Sequence, residues 1–202
     1  KEEISNFEPE IVIHMAAQSL VQGSYDDPVE TYSTNVMGTV NLLEAVRKSE
    51  KTKVVINVTS DKCYEEIELE RGFKETDPIG GHDPYSSSKG CSELITSAFR
   101  KSFFENKNSQ KISLASVRAG NVIGGGDWAA NRLIPDIMKG ILKNEVIKIR
   151  NPSFIRHWQH VLDPLNGYMI LVEKLWNEGE EFAESWNFGP IDDNAKPVSW
   201  IL

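Results

Sequence analysis

The sequence is poor in cysteine, in positive charge and in long hydrophobic runs. Its 202 residues include 2 cysteines, so there is no disulfide framework, and a reducing cytoplasm is the simplest setting. Lys and Arg number 22 against 30 Asp and Glu, and the net charge of −8 argues against a general nucleic-acid or membrane-surface binder. No apolar run approaches the length of a membrane span. We therefore expect neither nucleic acid nor membrane as a partner.

Two glycine motifs and a metal-ligand pattern are also missing. The chain has no Gly-x-Ser-x-Gly turn, which disfavours a serine hydrolase. It has no glycine-rich turn between a first strand and helix that would cradle a dinucleotide pyrophosphate, and 124–126 follow a late strand with the wrong spacing. His157 and His160 are not accompanied by further ligands at a known spacing, so we predict no metal site.

Apolar runs of strand length alternate with segments of helical periodicity. The predicted strands are 10–17, 54–58, 111–117, 146–149 and 186–188. The predicted helices are 28–48, 84–105, 133–142 and 164–176. Three of these helices begin with Asp-Pro, which supplies a capping side chain and a proline at the first helical position. The alternation indicates an α/β fold in which helices cover both faces of a parallel sheet.

Reactive side chains follow the strand 54–58 and begin the next helix. Ser60, Asp61 and Lys62 come directly after the strand. Tyr85 and Lys89 are four residues apart, so they lie on one face of a helix. The phenol of a free tyrosine has a pKa of about 10, and a neighbouring ammonium lowers it. We predict an acid–base cluster at the carboxyl edge of the sheet, where open α/β folds bind ligands.

Several ordered segments resemble the extended short-chain dehydrogenase/reductase superfamily, and the resemblance covers essentially the whole chain. The segments are His14-Met15-Ala16-Ala17-Gln18, Ser60-Asp61-Lys62, Pro84-Tyr85-Ser86-Ser87-Ser88-Lys89 and Arg118-Ala119-Gly120-Asn121-Val122-Ile123-Gly124. Within the superfamily they are similar to the NAD-dependent nucleotide-sugar 4,6-dehydratases. Lys62 stands where the dTDP-glucose members have Glu, and this departure resembles the CDP-glucose branch.

The resemblance implies a hydro-lyase that converts CDP-glucose to CDP-4-keto-6-deoxyglucose with tightly held NAD. Tyr85 would take the proton of the sugar 4-hydroxyl while hydride leaves C4, and Ser60 would hydrogen-bond the same oxygen. Lys89 would lower the pKa of Tyr85 and hold the nicotinamide ribose. Asp61 and Lys62 would supply the acid and the base that eliminate water across C5 and C6, in either assignment. Hydride would then return to C6.

The same resemblance assigns further residues to the cofactor and to the substrate. The implied cofactor-binding residues are Ala16, Ala17, Gln18, Asn35, Tyr85 and Lys89, with Asn35 supporting the region of the tyrosine. The implied substrate-binding residues are Asn121, Arg132, Arg150, Arg156 and His160. Arginine suits a diphosphate because its planar guanidinium can bond two oxygens at once.

The resemblance also implies a domain division. Residues 1–125 would form the C-terminal part of a Rossmann-like NAD-binding domain that carries the catalytic residues. Residues 126–202 would form mainly the nucleotide-sugar-binding region, interleaved with the last sheet strands. The absent glycine-rich turn and the greater length of the family lead us to expect a fragment that lacks both native ends. In the full-length protein we expect a homodimer or higher homo-oligomer.

Three alternative functions stay open at this point. Another NAD-dependent nucleotide-sugar dehydratase would keep the whole cluster. A 4-epimerase of the same fold would keep Ser60, Tyr85 and Lys89 but does not need an elimination pair. A non-catalytic sugar-nucleotide-binding protein is disfavoured by the intact pair of Tyr85 and Lys89. Fold alone does not decide among them, so the choice depends on the site residues.

Overall fold

The computed structural model describes residues 2–67, 71–105, 111–190 and 195–202. The helices are α1 (Glu2–Phe7), α2 (Val21–Asp26), α3 (Pro28–Tyr32), α4 (Gly38–Arg47), α5 (Pro84–Phe99), α6 (Leu133–Lys143) and α7 (Leu162–Glu178). The strands are β1 (Ile11–His14), β2 (Val54–Val58), β3 (Ser113–Ala119), β4 (Val122–Ile123), β5 (Ile155–His157), β6 (Gln159–His160), β7 (Ser185–Phe188) and β8 (Ala195–Pro197). Contacts group the chain into a first unit, Lys1–Ala119 with Asn166–Phe188, and a second unit, Gly120–Leu165 with Gly189–Leu202.

A parallel sheet of four strands, in the order β1-β2-β3-β7, forms the centre of the first unit. Val54 of β2 pairs with Ile11 of β1 and with Ser113 of β3, and Ser116 of β3 pairs with Ser185 of β7. Because all four strands are parallel, their carboxyl ends meet at one edge of the sheet. The α/β class with a parallel sheet, predicted from the sequence, is confirmed.

The core of the first unit lies between this sheet and α4 with the end of the α5 region. It consists of the buried apolar side chains Leu43, Val46, Val55, Phe104, Ile112 and Leu114. Val12, Leu42, Ile95 and Phe99 pack against it and are partly buried. Burial of such side chains stabilises the fold by about 1.5–3 kcal/mol each, so this cluster is a main source of stability for the four-stranded sheet.

Two of the predicted helices contain a π-helical segment, which the spacing of their apolar residues did not predict. The helix predicted over 28–48 consists of α3, a π-helical segment Ser33–Met37, and α4. The helix predicted over 84–105 consists of α5 and a π-helical segment Arg100–Phe104. Both predicted starts are confirmed, because Asp27 and Asp83 accept the backbone N–H groups of Glu30 and Ser86 at 2.8 and 2.9 Å.

The second unit contains short strands and one amphipathic helix. β4 pairs with β6 in parallel, and β5 pairs with β8 in antiparallel orientation. The strand predicted over 146–149 is wrong, since these residues form no strand. Val146 is fully exposed, and Ile147 packs so closely on α6 that a Cβ added to Gly140 would lie 2.4 Å from Ile147 Cγ1. The apolar run therefore covers a helix instead of joining a sheet.

The short helix α2 was not predicted from the sequence, and β1 is shorter than predicted. The run 10–17 predicts a strand to Ala17, whereas β1 ends at His14. Residues 15–17 leave the sheet, and α2 begins shortly afterwards at Val21. The predicted strand 111–117 likewise begins at Ser113 and continues to Ala119.

Candidate active site

The segment after β2 is held at the carboxyl edge of the sheet by a short 3₁₀ turn, Asp61–Cys63. Ser60 caps this turn, because its Oγ accepts the backbone N–H of Lys62 at 3.2 Å. The same hydroxyl donates to Asp61 Oδ1 at 3.1 Å, and Ser60 is 7% exposed. The strand end thus brings the hydroxyl of Ser60 and the carboxylate of Asp61 into contact, and Lys62 follows in the same turn.

Helix α5 brings a phenol and a second amine to the same edge. Asp83 caps its first turn, accepting Ser86 N–H at 2.9 Å and Ser86 Oγ–H at 2.6 Å. Tyr85 and Lys89 are both buried on this helix. Lys89 Nζ donates to the carbonyl of Val58 at 3.3 Å, which places the ammonium at the last residue of β2. The structure therefore brings Lys89 to the strand end that carries the Ser60 segment.

Burial changes the acid–base properties of this edge. It lowers the pKa of Lys89 to about 8, although the negative charge of Glu93 acts in the opposite direction. Burial also lowers the pKa of His14 at the end of β1, and the positive charge of Lys89 adds to that effect. Burial raises the pKa of the Cys63 thiol to about 12, so this cysteine is a neutral packing residue at physiological pH.

Asn35 connects the segment after β1 to the helix of Tyr85. Its Nδ2 donates to the Gln18 carbonyl at 3.0 Å and to Ser88 Oγ at 2.9 Å, and its Oδ1 accepts Gln18 N–H at 2.8 Å. Ser88 Oγ in turn donates to the carbonyl of Tyr85 at 2.7 Å. These contacts are consistent with the supporting role expected for Asn35, which stays a prediction.

Gln18 uses its side chain within its own loop and on helix α3. Its Nε2 donates to Thr31 Oγ1 at 2.9 Å and to the Leu20 carbonyl at 3.1 Å, and its Oε1 accepts Leu20 N–H. Ala16 is exposed and Ala17 is half-buried, so the segment after β1 presents small side chains at the sheet edge. The assignment of these three residues to the cofactor stays a prediction.

A buried ion pair behind the cluster was missed by the sequence analysis. Glu93 and Arg118 are 3% and 4% exposed, and Arg118 Nη2 lies 2.6 Å from Glu93 Oε2. Although burial opposes the charged carboxylate, hydrogen bonds from Arg118 and Thr59 lower the pKa of Glu93. Arg118 Nη1 also donates to Tyr64 Oη at 2.7 Å. A signal was present in the sequence: Glu93 follows Lys89 by one helical turn, and Arg118 is a charge within an apolar strand.

The predicted substrate-binding residues all lie in the second unit. Arg132 Nη1 forms an ion pair with Asp127 at 2.8 Å, and Arg150 Nη2 donates to Asn131 Oδ1 at 3.4 Å, so these two arginines share one loop region. Arg156 lies on β5, with its guanidinium 5.3 Å from the centre of the Phe154 ring.

Asn121 and His160 lie near the pairing of β4 with β6. The carbonyl of Asn121 accepts the backbone N–H of Gln159 at 3.4 Å. His160 Nδ1 accepts the backbone N–H of Leu162 at 3.2 Å, so the proton of the neutral imidazole is on Nε2. Nε2–H is therefore the group that His160 has available as a donor. The assignment of all five residues to the substrate stays a prediction.

Two further properties of the described residues concern metal binding and membrane spanning. Within 2–67, 71–105, 111–190 and 195–202, no group of three or more His, Cys, Asp or Glu could hold a metal ion. Among the helices of those same residues, none combines the length and the apolar character that crossing a bilayer requires.

Comparison with known proteins identifies the family. The family model described as GDP-mannose 4,6 dehydratase matches residues 1–183. The chain belongs to this family. The name GDP-mannose 4,6 dehydratase is that of the family model, and it does not by itself assign a nucleotide or a sugar to this chain.

Individual relatives are nucleotide-sugar enzymes by name. The chain is 58% identical over 201 residues to CDP-glucose 4,6-dehydratase of Salmonella typhimurium, covering 98% of this chain and 56% of the relative. It is 29% identical to UDP-glucose 4-epimerase of Mycoplasma genitalium, covering 93% of this chain and 58% of the relative. The chain thus spans little more than half the length of the relatives that it matches.

Solved structures confirm the Rossmann-like fold. The dTDP-glucose 4,6-dehydratase of Bacillus anthracis, in complex with NAD, superimposes with a TM-score of 0.77 at 25% identity, covering 99% of this chain and 57% of that one. The UDP-glucose 4-epimerase of Thermus thermophilus, also in complex with NAD, gives a TM-score of 0.83 at 23% identity, covering 100% and 62%. The second similarity concerns the fold alone.

Proposed function

We propose that the protein containing this chain is an NAD-dependent nucleotide-sugar 4,6-dehydratase that converts CDP-glucose to CDP-4-keto-6-deoxyglucose. The observation that supports it most is the 58% identity, over 98% of the chain, to a CDP-glucose 4,6-dehydratase. The buried Lys89 beside the Ser60 segment at the sheet edge supports the same proposal, because acid–base chemistry needs both in one place.

The residues at this edge fit the nicotinamide half of NAD. Lys89 is a buried donor that, within the part of the chain that the structure describes, donates to the Val58 carbonyl at 3.3 Å, so its other protons are suited to ribose hydroxyls. Ala16 and Ala17 carry no side chain that would keep a ring away from the end of β1. The cofactor supplies a reversible hydride acceptor; the residues of this chain supply the proton transfers and the positioning.

The first proton transfer belongs to Tyr85. Its phenolate accepts the proton of the sugar 4-hydroxyl, and the Lys89 ammonium one helical turn away stabilises that phenolate. Ser60 Oγ–H, now directed to Asp61, is available to turn to the same sugar oxygen. Because the bound cofactor would accept the hydride of C4, loss of the hydroxyl proton would leave a 4-ketone. The ketone makes the C5 proton acidic, which prepares the elimination.

The elimination belongs to Asp61 and Lys62. One removes the C5 proton and the other protonates the departing 6-hydroxyl, so that water leaves across C5 and C6. Both residues belong to the turn that Ser60 caps, so their positions relative to the 4-oxygen are coupled. A 4-epimerase has no use for this pair, which is why we favour a dehydratase.

The second unit would hold the nucleotide diphosphate. Arg132, Arg150 and Arg156 supply guanidinium groups, and their ion pair with Asp127 and hydrogen bond to Asn131 are surface contacts that a diphosphate can replace. Asn121 and His160 add an amide and the Nε2–H donor. We propose residues 1–125 as the cofactor and catalytic region and 126–202 as the main substrate region.

We also propose that the full-length protein is a homodimer or a higher homo-oligomer. Leu94 on α5 is 61% exposed and Phe103 in the following π-helical segment is 39% exposed. Ile95 and Phe99, between them in the sequence, pack against the core of the first unit. The outward side of this helix is therefore the part that an interface could bury.

The test is a product analysis on the full-length protein. CDP-glucose is incubated with NAD in D₂O and followed by NMR, and we expect a 4-keto-6-deoxy product that carries deuterium at C5. A C4 epimer would assign the protein to the epimerases instead. CDP-glucose that binds without turnover, with dTDP-glucose and GDP-mannose equally inert, would indicate a binding protein.

Two variants connect the product analysis to the elimination pair. Lys62→Met should abolish the dehydrated product, because no second proton-transfer group is left beside Asp61. Lys53→Met is the matched control: Lys53 forms an exposed ion pair with Glu10 at 2.7 Å, and its loss should leave turnover unchanged.

A further inference from the structure

Glu93 places a carboxylate on the buried side of α5, in line with the proposed catalytic residues. It follows Tyr85 and Lys89 at intervals of one helical turn, and all three are buried. Its carboxylate accepts hydrogen bonds from Thr59, Ser116, Ser185 and Arg118. A carboxylate with four donors in the interior is fully satisfied, so its charge is retained rather than neutralised.

The donors to Glu93 come from three neighbouring strands of the sheet. Thr59 follows β2 and lies directly before Ser60. Two donors, Ser116 and Arg118, belong to β3, and Ser185 belongs to β7. The Ser116 and Ser185 hydroxyls lie 2.8 and 3.2 Å from Glu93 Oε2. One carboxylate thus ties the helix of Lys89 to β3, to the first residue of β7 and to the residue that follows β2.

Arg118 extends this connection to the far end of the Asp61–Cys63 turn. Its Nη1 donates to Tyr64 Oη at 2.7 Å, and Tyr64 is the first residue after the turn. Tyr64 Oη donates to Asn187 Oδ1 at 2.6 Å, next to the end of β7. The turn that carries Asp61 and Lys62 is therefore anchored on both sides, by Thr59 before it and by Tyr64 after it.

The charges in this region alternate. Lys89 and Arg118 are buried cations, and Glu93 is the buried anion that interacts with both. The Cys63 thiol from the turn and His14 from β1 also interact with Lys89, and Tyr85 lies one helical turn before it on α5. Arg100 is a third buried cation on which the charge of Glu93 acts. Glu93 is the buried acidic side chain among the described residues, so its removal would take the buried countercharge from all three cations.

We propose that the ion pair of Glu93 with Arg118 is a positioning device for the dehydratase site. It fixes the Ser60–Lys62 segment against the helix of Tyr85, and it supplies the countercharge that keeps Lys89 an ammonium. Neither residue touches the reacting atoms. This inference rests on the proposed function for the meaning of the site, but its primary measurement does not require activity.

The experiment compares four forms of the full-length protein by NMR titration of the Lys89 side chain. Glu93→Gln keeps the shape of the side chain and removes its charge, and Glu93→Asp keeps the charge. Thr96→Val is the matched control, because Thr96 is equally buried on α5 and its loss removes the neutral hydrogen bond from Asn57 Nδ2, 2.7 Å long.

We expect the pKa of Lys89 to fall by about one unit or more in Glu93→Gln. In Glu93→Asp and in Thr96→Val it should stay near the wild-type value. The basic limb of the pH dependence of kcat/KM should move to lower pH in Glu93→Gln alone, whereas a merely structural change lowers activity equally at every pH. An unchanged Lys89 titration in Glu93→Gln overturns the inference.

Thr59→Val is the second variant, needed if Glu93→Gln does not fold. It removes the link between Glu93 and the residue before Ser60 and leaves both charges in place. Its kcat should fall at least tenfold with KM within a factor of two or so, while Thr96→Val keeps the wild-type kcat. Equal kcat values in the two variants contradict the positioning role.

Failure of the proposed function has a different signature. If no form turns over CDP-glucose but the Lys89 titration moves in Glu93→Gln, the charge relationship is established and the dehydratase assignment is wrong. If wild type forms the 4-keto-6-deoxy product and the Lys89 titration does not move, the assignment is retained and the inference is wrong.

Discussion

At the scale of single residues, the spacing in the sequence predicted which side chains lie on one helix face. It did not predict how much free energy the burial of each side chain costs. The interval of four residues between Tyr85 and Lys89 was sufficient to place them on one helix face. It did not predict the partner of Lys89, because the Val58 carbonyl reaches it across the sheet edge. The same limit applies to Glu93 and Arg118, which are 25 residues apart and meet because α5 packs on the sheet.

Lys89 should make the protein less stable than an apolar residue would. A pKa lowered from 10.5 to about 8 means that folding disfavours the protonated lysine, by roughly 3 kcal/mol at neutral pH. Between these two pKa values the unfolded chain binds the additional proton, so this residue adds stability as pH rises from about 8 to 10.5. Lys89→Met should therefore raise the free energy of unfolding at pH 7 by about 1–2 kcal/mol, since lost hydrogen bonding offsets part of the gain.

Chemical denaturation at pH 7 and pH 10 provides the measurement for Lys89→Met. The increase in the free energy of unfolding should be largest at pH 7 and should become smaller towards pH 10. Turnover should be lost. Lys53→Met is again the control, because Lys53 is exposed. A variant that is less stable than wild type at pH 7 would show that Lys89 contributes net stability.

At the scale of elements, capping chemistry and apolar runs predicted most helices and the central strands. β2 matches its predicted range, and both Asp-Pro helix starts in the first unit are confirmed by the hydrogen bonds of Asp27 and Asp83. The π-helical segments were missed because their side-chain periodicity differs little from that of an α-helix over five residues. The strand predicted over 146–149 failed because an apolar run of that length packs equally well on a helix.

Removal of the Asp83 cap should affect stability and turnover together. Asp83→Ala removes the hydrogen bonds from Ser86 N–H and Oγ–H, which should cost about 1–2 kcal/mol of stability. Tyr85 lies in the turn that this cap holds, so kcat should fall as well. Asp27→Ala removes the matching cap of α3 at 2.8 Å and should lower the free energy of unfolding by about 1 kcal/mol with little change in kcat.

Denaturation curves and initial rates of Asp83→Ala and Asp27→Ala show whether a fall in kcat is specific to the cap of α5. If Asp27→Ala reduces kcat as much as Asp83→Ala does, the effect is one of overall stability and the cap of α5 has no special role.

Two glycines in helices should respond to alanine with opposite signs. A Cβ at Gly90 of α5 would lie 2.6 Å from the carbonyl oxygen of Gly80 and 3.1 Å from Ile79 Cγ2, so backbone must move. Gly90→Ala should therefore destabilise the protein by about 1–3 kcal/mol. A Cβ at Gly38 of α4 meets nothing within 4 Å, and Gly38→Ala should stabilise by up to about 1 kcal/mol through helix propensity.

Thermal unfolding of these two variants checks the packing of α5 against the segment before it. A shift of Tm in the same direction for both would mean that helix propensity, and not the close approach at Gly80, governs position 90.

At the scale of the whole molecule, pairing between distant strands decided the organisation. β7 pairs with β3 and returns residues 166–188 to the first unit, after the chain has formed most of the second. Periodicity in the sequence carries no information on such pairing, because it reports only which face of an element is apolar. The resemblance to a known family carried that information instead, since it implied interleaving with the last sheet strands.

The two units should differ in how readily their backbones open. β2 and β3 are paired along both edges within the first unit and are largely buried, whereas the ladders of the second unit, β4 with β6 and β5 with β8, contain two and three residue pairs. Opening energies follow such differences in burial and pairing. Hydrogen exchange of the full-length protein, followed by mass spectrometry, should therefore show slow exchange over 54–58 and 113–119 and faster exchange over 120–165.

Addition of CDP should slow exchange selectively in the second unit. If Arg132, Arg150 and Arg156 bind the diphosphate, peptides from 120–165 become protected. Peptides from 54–67 stay unchanged, because CDP lacks the glucosyl group that would reach Ser60. Inorganic phosphate at the same concentration is the control, and it should protect these peptides far less, since it offers one phosphoryl group and no nucleoside. Protection by CDP that is confined to the first unit would show that the nucleotide is bound elsewhere, and the arginines would then be surface charges.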